Sequence, residues 1–214
     1  MMTPHSQLLL PRWRAAAEAL LPVVAISVWK WIEPLGHSRP LDMLFGIFLG
    51  VIIITIAWRE GFPSAQEAGL SPHTPHARAL GHALLAVLPL LVAVIVWAWA
   101  TGRLYADAAL LRALICYPFG AFMQDAAVFV FVLPRAEAAW GQRTGLAATA
   151  LLFGAVHLPN PLLSPGSVLL VLVLSWGWRR ERSLIALALA HGLLGAVCDK
   201  AIHVSMRIGM SWFR

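Results

Sequence analysis

Long apolar runs alternate with short polar segments along the whole chain. Runs of this length cross a bilayer as α-helices rather than as strands of a barrel. The pattern therefore predicts an all-α fold, a polytopic bundle of transmembrane helices that forms one integral membrane domain over residues 1–214. The predicted spans are 18–32, 43–58, 79–100, 104–133, 145–158, 165–178 and 183–205.

The fourth apolar run decides the number of spans. It contains Pro118, which kinks a membrane helix without ending it when neighbouring helices satisfy the freed carbonyl. One kinked span gives seven spans in total, and two short ones would give eight. With seven, the positive-inside rule places the N-terminus in the cytoplasm. One face then receives Arg12, Arg14, Arg59, Arg78, Arg135, Arg143, Arg179, Arg180 and Arg182, against Arg39, Arg103, Lys200, Arg207 and Arg214 on the other.

Composition agrees with a membrane protein. Hydrophobic residues make up 60% of the chain and charged residues 12%, about half the share found in soluble domains. This balance excludes a soluble enzyme and a disordered or fibrous chain. The net charge is +6, and the basic residues lie between the apolar runs, where they set topology and contact anionic lipid headgroups. We therefore expect no nucleic-acid partner. We expect the chain in the inner membrane of a bacterium.

Ionisable side chains inside predicted spans are the candidate functional residues, because burying them in a bilayer is costly. These are Asp125, His157, His191 and Asp199, with Gln124 as a buried amide. At about 1.5 Å per residue, Asp125 and His191 lie roughly 12 Å from the cytoplasmic ends of their spans, and His157 roughly 18–20 Å. The three groups can therefore meet. Asp199, beside Lys200 near a helix end, is interpreted as an interfacial ion pair.

A carboxylate and two imidazoles allow two chemistries. They are the groups needed to polarise a water molecule and to stabilise an oxyanion. They are also a two-histidine, one-carboxylate ligand set, so zinc bound by His157, His191 and Asp125 is the alternative; otherwise no cofactor is expected.

Three short motifs resemble those of the CPBP family of intramembrane proteases, which includes the CAAX prenyl endoproteases. Phe153-Gly-Ala-Val-His157 resembles the family's F-x-x-x-H motif, and His191 lies where its last motif, H-x-x-x-N/D, is expected. Gln124-Asp125 lies where the family has its E-E-x-x-x-R motif. The resemblance covers residues 117–199.

The resemblance implies an intramembrane endopeptidase acting on a membrane-anchored or lipidated peptide. Asp125 and His157 would activate water, and His191 would donate to the oxyanion. The sequence departs from the family at three positions: Gln124 replaces the first glutamate, Phe129 the arginine and Gly195 the asparagine or aspartate.

Two other functions stay open at the level of sequence. The missing polar groups allow a catalytically inactive relative that binds or scaffolds a membrane partner. His157 and His191, on separate helices, could instead be the two axial ligands of a b-type haem.

Overall fold

A computed structural model describes residues 10–32, 39–60, 63–103, 107–201, 207–209 and 211. Its ordered elements are all helical, and no β-strand occurs among these residues, as predicted. The α-helices are α1 (Arg12–Ile32), α2 (Arg39–Arg59), α3 (His76–Ala100), α4 (Ala108–Asp125), α5 (Leu133–Trp140), α6 (Gln142–Val156), α7 (Leu163–Arg180) and α8 (Leu184–Ala196). π-Helical segments follow α4 (Ala126–Val132) and α8 (Val197–Ala201).

The distribution of side chains is that of a membrane protein. Many fully buried positions carry alanine, as at Ala19, Ala83 and Ala136, so the helix backbones approach one another closely. Large apolar side chains such as Leu44 and Phe119 are exposed instead. Among the described helices, three are long and apolar enough to cross a bilayer: Arg12–Ile32, His76–Ala100 and Ala108–Trp140. The total of seven or eight spans stays a prediction.

The fourth apolar run forms one continuous helix, Ala108–Trp140, in which α4, the first π-helical segment and α5 follow without a break. It passes through Pro118, as expected for a single kinked element. Its predicted end at residue 133 is wrong by seven residues. Pro134 lies in the first turn of α5, where the hydrogen-bond pattern changes from π to α, so it does not stop the helix.

The described residues divide into two compact units. Unit 1 comprises residues 1–63, 128–168 and 207–214, within which α1 packs against α5 and α6. Gly141 joins α5 to α6 with φ +80°, a left-handed conformation that favours glycine. A Cβ on Gly145 would lie 2.6 Å from the Glu137 Cα, so these two helices are in backbone contact.

Unit 2 comprises residues 64–127 and 169–206, and α8 packs against α3 and α4 within it. The N-termini of α3 and α8 are joined by a hydrogen bond of 2.8 Å between His76 Nδ1 and Ser183 Oγ. Ser183 also caps α8 by accepting from the Ala186 amide. Asp107 caps α4 in the same way, accepting from the amides of Ala109 and Leu110. Both α4 and α8 therefore begin at a defined residue.

Candidate functional site

Asp125 and His191 form a buried pair in unit 2. His191 Nδ1 lies 3.0 Å from Asp125 Oδ1, and because an ionised carboxylate only accepts, the imidazole donates. The Asp125 side chain is 3% exposed and that of His191 13%. The second carboxylate oxygen, Oδ2, is buried and has no hydrogen-bond partner among the described residues. A buried acceptor without a partner is costly and marks a place for a polar ligand such as water.

Glycines on α8 allow this pair to form. A Cβ on Gly192 would lie 2.7 Å from the Pro118 Cα, and one on Gly195 would lie 2.9 Å from the Tyr117 ring. Helices α4 and α8 therefore touch through their backbones, which brings the short Asp125 side chain within reach of His191. The contact also explains why position 195 carries no asparagine or aspartate, since Tyr117 occupies the space beside it.

Gln124 does not share this environment. The sequence predicts a buried amide, but the structure places Gln124 on an exposed face of α4, one residue from the buried Asp125. Adjacent residues on an α-helix point about 100° apart, so only one of the two can face α8. The interpretation of Gln124 as a buried group is therefore wrong, and its catalytic role stays a prediction.

His157 lies in unit 1, directly after the last residue of α6. Its Nδ1 donates to the Phe153 carbonyl oxygen over 2.8 Å, and the two rings meet edge to face with centroids 4.9 Å apart. The F-x-x-x-H spacing therefore has a structural basis, because Phe153 provides both the acceptor and the ring that orient the histidine. With Nδ1 protonated, Nε2 is the acceptor of the neutral ring. That His157 joins Asp125 and His191 stays a prediction.

The sequence analysis missed a second polar bridge in unit 2. The Tyr117 hydroxyl donates to Asp199 Oδ2, which joins α4 to the π-helical segment after α8. Asp199 therefore faces a neighbouring helix and is not only an interfacial group; the side chain of Lys200, its predicted partner, lies outside the described residues. The signal was present in the sequence, since Tyr117 precedes Asp125 by eight residues and Asp199 follows His191 by eight.

A buried ion-pair network in unit 1 was also missed. Arg135, predicted as a loop residue, is 4% exposed and lies on α5. Its Nε donates to Glu18 Oε2 over 2.9 Å, and its Nη2 donates to Glu60. Arg14 contacts the same two carboxylates at 2.7 and 3.2 Å, so two arginines balance two glutamates. The spacing of four residues between Arg14 and Glu18 was the available sequence signal.

Comparison with known proteins bears on the part of the chain that contains the Asp125–His191 pair. Residues 106–197 match the family model described as type II CAAX prenyl endopeptidase Rce1-like. This match supports the predicted resemblance to the CPBP family over that segment. The matched segment covers somewhat less than half of the chain and contains all three motifs. Searches of curated proteins and of solved structures found no match.

The match to this protease family and the apolar helices together support an integral membrane protein. Its departures from the CPBP motifs have definite structural surroundings. Phe129, in place of the arginine, is 1% exposed within unit 1, and Gly195 is packed beside Tyr117 in unit 2. Among the residues that the structure describes, no group of three or more metal-ligating side chains occurs. Zinc bound by Asp125, His157 and His191 stays a prediction.

Proposed function

We propose that the chain is an intramembrane endopeptidase that cleaves a membrane-anchored or lipidated peptide. The observation that carries the proposal is the Asp125–His191 pair. It is a buried carboxylate–imidazole hydrogen bond of 3.0 Å, with an unpartnered carboxylate oxygen, inside the segment that matches a protease family. Burying ionisable groups in a membrane costs free energy, so pairs of this kind are found mainly at functional sites.

The contacts support a division of roles between the two histidines. In this proposal His191 Nδ1–H donates to Asp125, and Nε2–H donates to the developing oxyanion, which requires a proton on both ring nitrogens. His157, with Nδ1 held by the Phe153 carbonyl, presents Nε2 as a proton acceptor. Asp125 thus orients His191 in this chain, where Gly195 stands in place of the asparagine or aspartate of the family motif. In this proposal, Asp125 does not activate water itself.

The proposed reaction is hydrolysis of a peptide bond. His157 Nε2 takes a proton from water while the water oxygen bonds to the scissile carbonyl carbon. The resulting oxyanion accepts a hydrogen bond from His191 Nε2–H. The tetrahedral intermediate then breaks its C–N bond as His157 returns the proton to the leaving amine.

The substrate and the topology are part of the same proposal. The description of the matched family suggests a prenylated peptide, which would reach the site from the bilayer. We place the N-terminus in the cytoplasm of a bacterium. The ion-pair network of unit 1 supports this topology. It joins the first turn of α1, the residue after α2 and helix α5. The predicted spans put these three positions on the same face of the membrane.

The test is cleavage of a fluorogenic farnesylated peptide by the purified chain in liposomes. Asp125→Asn and His191→Ala should each lower the rate about 10²–10⁴-fold. Asp107→Asn is the matched carboxylate-to-amide control, because asparagine caps a helix about as well as aspartate. His73→Ala, an exposed loop position, controls for loss of an imidazole. Cleavage by Asp125→Asn and His191→Ala at the rate of these controls would contradict the proposal.

A non-catalytic membrane-binding relative is the second candidate. The exposed position of Gln124 and the buried Phe129 favour it, because these residues replace the glutamate and the arginine of the family motif. This candidate predicts that the farnesylated peptide binds to the reconstituted chain with saturation but is never cleaved. Binding without cleavage at any pH between 5 and 9 would replace the protease proposal.

A further inference from the structure

Two polar bridges hold α4 and α8 together, and only one of them belongs to the proposed reaction. Asp125 and His191 form the first, and Tyr117 and Asp199 form the second. Because Tyr117 precedes Asp125 and Asp199 follows His191, the two helices run antiparallel. Eight residues separate the bridges along each helix, or about 12 Å at the α-helical rise.

Two glycines of α8 lie between the bridges and contact α4. Gly192 faces the Pro118 backbone and Gly195 faces the Tyr117 ring, so no side chain of α8 inserts into α4 at these two positions. Glycine contacts bring helices close, but at these two positions they place no side chain between the helices. A hydrogen bond in an apolar environment is directional and is strengthened by the low local dielectric. The two bridges are therefore directional contacts that can fix the register of the two helices.

The backbone departs from a regular helix where the second bridge forms. Eight residues along an α-helix would turn Asp199 about 80° away from the direction of His191. Asp199 instead lies in the π-helical segment Val197–Ala201, whose wider turns reduce this rotation. The irregular turn therefore brings Asp199 back toward the face of α8 that packs on α4, within reach of the Tyr117 hydroxyl. π-Helical turns occur frequently at functional sites.

We propose that Tyr117 and Asp199 are positioning residues, which hold α8 in the register that keeps His191 hydrogen-bonded to Asp125. The proposal rests on the proposed function, because the geometry that it preserves is that of the oxyanion donor. Neither residue touches the reacting atoms. A displacement of about 1 Å in a catalytic group lowers rates by up to about 100-fold, so loss of the second bridge should be visible in turnover.

The kinetic test uses Tyr117→Phe, Asp199→Asn and the double variant in liposomes. Each single change should lower kcat about 10- to 100-fold and leave KM within about twofold, since substrate contacts are unchanged. The double variant should be no worse than either single one, because both remove the same hydrogen bond. Ser175→Ala, which removes a buried hydroxyl bonded within α7, is the control and should retain wild-type kcat.

A second measurement needs no substrate and separates the two proposals. In chain labelled with ¹⁵N-histidine in detergent micelles, the His191 Nδ1–H resonance reports its hydrogen bond to Asp125, and Asp125→Asn identifies it. Tyr117→Phe and Asp199→Asn should move this resonance, whereas Ser175→Ala should not. Absence of cleavage by the wild-type chain would contradict the protease proposal but not the positioning role of Tyr117 and Asp199. An unmoved resonance, or additive losses of kcat in the double variant, would overturn the positioning role.

Discussion

Substitution of Gly192 by alanine is the most direct test of how the Asp125–His191 pair is built. The new Cβ would lie 2.7 Å from both the Cα and the backbone nitrogen of Pro118. Backbone atoms cannot swing aside, so α8 must recede by about 0.7 Å to reach the ordinary contact distance of about 3.4 Å. If His191 moves with its helix along the direction of this hydrogen bond, its distance from Asp125 grows from 3.0 Å to at most about 3.7 Å, beyond a hydrogen bond.

The expected result is a large loss of activity with a smaller loss of stability. Overpacking costs about 1–3 kcal/mol, while alanine recovers about 1 kcal/mol of helix propensity relative to glycine. The free energy of unfolding should therefore fall by no more than about 2 kcal/mol. The rate of peptide cleavage should fall about 100-fold, because the oxyanion donor is displaced.

The assay compares Gly192→Ala with Gly120→Ala in detergent and in liposomes. Gly120 lies on α4, and a Cβ there meets nothing within 4 Å, so alanine should stabilise the helix by up to about 1 kcal/mol. Thermal unfolding gives the stability of each variant, and cleavage of the farnesylated peptide gives its activity. Equal activity of Gly192→Ala and Gly120→Ala would refute the reasoning, because it would show that close approach of α8 to α4 is not needed.

Three further outcomes can be checked with the same preparations. Arg135→Ala should leave Glu18 and Glu60 without their buried partner and lower the free energy of unfolding by about 3–5 kcal/mol, measured as loss of folded protein in detergent. An unchanged melting temperature would contradict a stabilising role of this network. Gln124→Glu should change cleavage less than about twofold because this side chain is exposed, and a tenfold gain would restore its predicted catalytic role. The purified chain should show no Soret band after growth with added haem precursor, whereas a band would favour the b-type haem alternative.

The sequence by itself was sufficient to predict the class of fold and the resemblance to a protease family. Apolar runs of this length have no other low-energy state in a bilayer than helix, because every backbone amide must bond within its own segment. The spacing of Gln124-Asp125, His157 and His191 along the chain was enough to recognise the motifs, because it can be read without knowing how the helices pack. The F-x-x-x-H motif is local, and its physical basis lies within one turn of α6.

The partners of the buried polar groups were decided only by tertiary structure. The sequence puts Asp125 and His191 at similar depths in their spans, but their hydrogen bond across 66 residues depends on how closely α8 approaches α4. The rotation that buries Asp125 and exposes Gln124 likewise depends on which face of α4 meets α8. The sequence places Arg135 in a loop, and only the structure shows that its partners are Glu18 and Glu60. In an apolar environment a polar group can be buried only when it has a partner, and these partners meet only when helices distant in sequence pack together.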